Sequence, residues 1–146
     1  LAAGARSIAI CTNPTDCSSD QARVDGFRNA LLDAGISARA ITVLTDAAHH
    51  PQREKRLLKA DGFFGVNSRL LVDTIARLIG RPEFKPAYLG SIGEIDGASL
   101  LRLPIDAIRV PGRELGYQAA DLMLWRLENK NVVARQHRVV DFPRPD

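Results

Sequence analysis

The chain has 146 residues, 45% of them hydrophobic and 5% aromatic, with 20 Lys and Arg against 17 Asp and Glu for a formal net charge of +3. That length suits one domain, which buries roughly 70% of its unfolded surface around a single aliphatic core. Acids interrupt the basic residues throughout, and there is no Lys/Arg run, aromatic-basic alternation or zinc-finger spacing, so this segment is a poor nucleic-acid binder on its own.

In chain order, Ser7–Cys11 is an apolar run of strand length, and Asn13-Pro14 marks a turn. The stretch Gln21–Gly35 follows, with Ser18, Ser19 and Asp20 as candidate helix caps ahead of it. Val24, Phe27, Ala30, Leu31 and Ala34 recur at helical spacing, and Gly35 is the expected left-handed stop. Ile41–Leu44 is a β-branched strand, Thr45–Pro51 a loop, and Gln52–Lys59 a short basic helix. Phe63–Val66 is a third strand, followed by a helix over Arg69–Ile79 that Gly80 ends. Ala87–Gly90 and Ala107–Val110 are further strands, the longest helix runs from Pro111 or Gly112 to Leu127, and Arg138–Phe142 is a last strand.

Strands alternating with helices of about a dozen residues predict an α/β fold, a mainly parallel sheet with helices on both faces. In such sheets ligands bind beyond the carboxyl ends of the strands. The loops in that position are 12–20, 45–50, 67–68 and 91–96, and they hold most of the polar side chains that no packing face needs.

Arg23 falls at the mouth of the first long helix, in its first turn, where a cation gains nothing from the helix dipole. A ligand held by the loop before it is one reason for an arginine there; a solvated surface residue is the other. Asn67 ends a buried strand, where an amide both donates to and accepts from a hydroxyl, or simply makes a turn. Adjacent His49 and His50 lack a third ligand at usable spacing, so no metal site is expected. There is no G-x-S-x-G elbow, acid-base pair or glycine-rich phosphate cradle, so neither an enzyme nor a resident cofactor is expected. Cys11 and Cys17 lack C-x-x-C spacing and read as free thiols of a reducing cytoplasm rather than a disulfide. No apolar run approaches the ~18 residues of a membrane span. The opening Leu-Ala-Ala-Gly, without methionine or a signal pattern, reads as a piece of something longer.

Four stretches in order resemble the lactose/galactose repressor (LacI/GalR) family. Arg23-Val-Asp-Gly26-Phe27 with Ala30-Leu31 and Gly35 is similar to R-x-x-G-[FY]-x-x-A-L-x-x-x-G. The opening through Ile8-Ala9 resembles L-x-x-x-G-H-[RK]-x-I-A, with Ala5 in place of His. Residues Ala60–Ser68 resemble D-A-[IV]-F-x-x-N-D, and Pro104–Ala120, the most specific stretch, resembles P-x-[LI]-T-T-[VI]-x-x-P-x-x-E-[LM]-G-x-x-A.

The resemblance implies one lobe of a periplasmic-binding-protein-like (type I) fold spanning residues 1–146, the C-terminal lobe of an effector-binding core. The DNA-binding helix-turn-helix and most of the first lobe would lie outside this chain. It further implies a cytoplasmic transcriptional regulator, a repressor that meets operator DNA only through that other domain. The effector would be a sugar or related small molecule, bound at Arg23 and Asn67. Glu94 would stand in for a sugar-gripping carboxylate, since Ser68 and Ser91-Ile-Gly-Glu94 replace the family's acidic positions, and Asp16 and Asp46 are further candidates. Family dimers join through regions that here carry Val72, Leu100 and Leu101, so a homodimer without membrane contact is expected. The alternative is a fragment of a periplasmic sugar-binding transport protein, which shares the fold.

Overall fold

Strands of four and five residues, most of them separated by helices, suit short rungs of a parallel sheet. In the computed structural model, which describes residues 6–14, 17–45, 51–96, 103 and 105–141 (51–53 without their side chains), they form one. The order is β1 (Ile8–Cys11), α1 (Ser18–Asp33), a 3-10 turn (Ala38–Ala40), β2 (Ile41–Leu44), α2 (Pro51–Leu57), β3 (Gly62–Gly65), α3 (Ser68–Leu78), β4 (Tyr88–Ile92), β5 (Ile105–Ile108) and α4 (Gly112–Glu128). Leu100, Leu101, Asp16, Asp46, His49 and His50 lie outside the described residues.

The five strands form one parallel sheet in the order β2-β1-β3-β4-β5. Ile8 aligns with Ile41 on one side and Gly62 on the other, and Leu89 aligns with Ile105. Alternate residues of a strand face opposite ways, and two cores result. Ile8, Ile10, Phe64 and Val66 pack with Val24 and Leu31 of α1. Ala9, Cys11, Phe63 and Leu89 pack with Leu57 of α2 and with Leu71, Ile75 and Leu78 of α3. α1 therefore covers one face and α2 and α3 the other. The parallel α/β fold with helices on both faces is as the sequence predicts.

Each fully buried aliphatic or phenyl side chain of these cores contributes roughly 1.5–3 kcal/mol. The aromatic pair Phe27–Phe64, stacked with ring centroids 3.8 Å apart, adds contact between α1 and β3.

α1 ends at Ala34, and Gly35 takes φ +85°. The Gly35 amide donates to the Leu32 carbonyl and the Ile36 amide to the Leu31 carbonyl, both at 2.9 Å, the paired bonds of a Schellman stop. At the amino ends of the strands, Asp61 gathers three of them. Its carboxylate accepts from the Arg6 and Ser7 amides at 2.8–3.0 Å, and its carbonyl accepts from Ala87 and Tyr88.

The chain divides into two compact units, Leu1–Ile108 and Arg109–Asp146. The second holds α4, none of whose residues is buried, although its apolar positions include Leu115, Met123 and Leu127. Arg138 donates to Gln118 and Asp121 of α4. Residues 138–141 are not a strand. A strand needs a ladder partner, and the described part of this unit contains no other. Among the described residues, no helix is long and apolar enough to cross a membrane.

Candidate functional site

From β1 the chain crosses by α1 to β2 on one side, then returns by α2 to β3 on the other. Between β1 and β3 the direction of strand addition therefore reverses. The loops leaving the carboxyl ends of these two strands diverge and open a crevice, the place where parallel α/β sheets hold ligands. A groove of about 570 Å³ is found there, lined by Asn13, Asn67, Ser68, Arg69, Leu70 and Asp73.

Asn67 sits between β3 and α3 with extended backbone (φ −145°, ψ 161°) and caps the helix, its Oδ1 accepting from the Leu70 amide at 3.0 Å. That bond fixes the amide's orientation and turns its Nδ2 donor away from the helix. The elbow is tight because residue 65 is glycine. A Cβ there would stand 2.6 Å from the Asn67 carbonyl oxygen and 2.8 Å from Leu71 Cβ.

Arg23 does not line that groove; it approaches the β3–α3 elbow from the opposite face of the sheet. α1 begins at Ser18, with Cys17 at the cap position and without a side-chain cap bond, so Arg23 lies in the second turn rather than the first. Its Nη1 donates to the Val66 carbonyl at 3.2 Å and to Asp20 Oδ1 at 3.3 Å. Its side chain is 34% exposed. Among the described residues, Nε and Nη2 donate no hydrogen bond. Asp20 is a buried carboxylate, 6% exposed, whose other oxygen accepts from Asn13 Nδ2 at 2.9 Å. Asn13, Asp20, Arg23 and the Val66 carbonyl thus form one chain of hydrogen bonds across the crevice, ending beside Asn67.

Glu94 is exposed after the positive-φ turn at Gly93. Gly93 adjoins Ser68, with 3.5 Å between a Cβ position there and the Ser68 hydroxyl. Ser91, buried, donates to the Gly93 carbonyl and holds that turn. Arg23, Asn67 and the Glu94 turn therefore belong to one end of the sheet, while Asp16 and Asp46 lie outside the described residues. Val72 is half-buried on α3, between Leu71, which packs into the core, and the exposed Asp73.

Asp20 and Asn13 were not legible as site residues. The available signal was charge spacing: an acid three positions before an arginine on a helix makes an ion pair. Serine and aspartate before the helix read more simply as caps.

The two cysteines are free, Cys11 buried and Cys17 exposed. Burial raises the Cys11 pKa against a smaller opposing hydrogen bond with Thr74. The Ser19 hydroxyl, then the backbone amides of Asp20 and Ser19, lower that of Cys17. No group of three or more His, Cys, Asp or Glu that could hold a metal occurs among the described residues.

Across residues 1–144 the sequence matches the periplasmic binding protein-like domain family. Among solved structures the chain is similar to a LacI family transcriptional regulator from Enterococcus faecium with bound ribose. The TM-score is 0.68 at 25% sequence identity, over 90% of this chain and 52% of that one. A LacI family transcriptional regulator from Burkhoderia phymatum shares the fold at TM-score 0.64 and 18% identity, over 97% of this chain and 54% of that one. The chain thus spans about half the length of these solved structures. No curated protein matches it.

Proposed function

Because the chain belongs to the periplasmic binding protein-like domain family, we propose that it is the effector-binding and dimerisation part of a LacI-type transcriptional regulator. Its structural neighbours are regulators of that family, which are not enzymes. Residues 1–146 would be the C-terminal lobe, and operator DNA would be met by a helix-turn-helix domain carried elsewhere in the intact, cytoplasmic protein. The effector is a sugar or a related small molecule; the similar Enterococcus faecium regulator carries ribose.

One observation carries this reading. A guanidinium from α1 and an amide from the β3–α3 elbow converge at the point where strand order reverses. A rigid fork of donors beside a fixed amide suits vicinal hydroxyls. Ligand closing the crevice against the other lobe would favour one lobe-lobe angle, and only unequal affinity for the open and closed forms can shift that balance. Asp16, Asp46 and Glu94 are the carboxylates proposed to complete the sugar contacts.

Calorimetry of the intact protein against a panel of pentoses and hexoses tests the effector role. A sugar should bind, and Arg23→Leu should weaken it at least about tenfold, or 1.4 kcal/mol. Absence of binding across the panel, or binding indifferent to Arg23→Leu, rejects it. For dimerisation through Val72, Leu100 and Leu101, sedimentation of Val72→Glu should show monomer where the parent is dimer; a variant that stays dimeric rejects that interface.

A further inference from the structure

The charged groups of the crevice come in compensated pairs. Arg23 is matched by Asp20 at 3.3 Å, and Arg69, on the groove wall, by Asp73 at 3.8 Å. Asp20 is the unusual member. It is 6% exposed, both its oxygens accept hydrogen bonds, and it stands between Arg23 and Asn13, a groove-lining residue. A surface partner such as Asp73, half exposed, offers weak and screened compensation. A buried one acts on the guanidinium at low effective dielectric and is screened far less.

An anionic ligand would want the opposite arrangement: an uncompensated cation, or a helix N-terminus with free amide donors. The α3 N-terminus lines the groove, and its Leu70 amide is already taken by the Asn67 side-chain oxygen, which removes that donor from an anion's reach.

We propose that Asp20 is the specificity-determining and positioning residue of this rim: it holds the Arg23 fork across the crevice and cancels its charge, selecting an uncharged polyhydroxyl effector over a phosphorylated or carboxylated one. The inference rests on the effector-binding reading above and deepens it. Arg23 then acts as a neutral-pair donor through Nε and Nη2, recognising oxygens by geometry instead of by net charge.

The test uses the intact protein and matched probes, D-ribose with D-ribose 5-phosphate and D-glucose with D-glucose 6-phosphate, by calorimetry at fixed ionic strength. In the parent, the neutral member of a bound pair should bind at least about tenfold more tightly than its phosphate. Asp20→Asn, isosteric and still able to accept from Asn13 or Arg23, should move that ratio at least about tenfold toward the phosphate. A purely structural role would weaken both probes together and leave the ratio alone. A parent that prefers the phosphate, or a folded Asp20→Asn with an unmoved ratio, overturns the inference while leaving sugar binding standing. Should Asp20→Asn fail to fold, the parent ratio decides. If no probe and no sugar of the wider panel binds, the effector reading fails and this inference with it.

Discussion

Arg23 of α1 and Asn67, the cap of α3, belong to elements on opposite faces of the sheet, and among the described residues a hydrogen bond from Arg23 Nη1 to the carbonyl of Val66 links them. The residue accepting that bond immediately precedes Asn67, so the position of the guanidinium and the start of α3 are set together.

Replacing Arg23 by leucine leaves the buried Asp20 carboxylate with Asn13 as its remaining described partner. A half-satisfied buried carboxylate costs about 1–2 kcal/mol, read as a lower thermal midpoint without loss of fold. The double variant Arg23→Leu with Asp20→Asn should recover most of that stability and none of the sugar affinity.

Asn67 has two tasks that substitution can separate. Asn67→Ala removes the α3 cap and costs about 1 kcal/mol in chemical unfolding. Asn67→Ser keeps a capping oxygen while losing the amide donor, so it should fold nearly as well as the parent and still bind effector poorly. Equal binding by parent and Asn67→Ser would separate the amide from recognition.

Asp61 lies at the amino ends of the strands, away from the crevice. Its carboxylate and carbonyl serve β1 and β4 together. Asp61→Ala should lower stability by about 2 kcal/mol and leave the ratio between neutral and phosphorylated sugars untouched, which makes it the control for variants at the rim.

The thiols should titrate and react differently. In the native protein a thiol reagent should count Cys17 and miss Cys11, which is 2% exposed; both should react after unfolding. Because burial raises the Cys11 pKa above its ordinary 9.0 in the folded state, its contribution to stability is intact below that value and fades as pH rises through the folded-state pKa. Tyr88, raised first by burial and then by Asp106, adds in the same direction from 10.0 upward. Urea melts in rising alkali should show the decline, and Cys11→Ala should soften it.

Between residues 7 and 80 the element types were legible, most clearly α3, whose apolar Leu71, Ile75 and Leu78 are its buried face; of the stripe expected on α1, Val24 and Leu31 are buried while Ala30 and Ala34 are exposed. The last strand failed for a physical reason: Arg138–Asp141 has the composition of a strand, but composition does not supply a ladder partner. The helix cap failed similarly, since three good capping residues in a row conceal that the chain turns one residue earlier, at Cys17, and frees Asp20 for Arg23. Arg23 and Asn67 could be picked out by motif and by strand end. Their mutual placement depends on strand order, which local sequence patterns do not encode.

β1 lies between β2 and β3, and β3 between β1 and β4. Fraying that starts at either margin of the sheet must peel away a neighbour before it reaches Ile10 or Phe64, whose amide protons would be the last to exchange with solvent. The crevice is thus floored by inner rungs of the sheet, each held by a neighbouring strand on both sides.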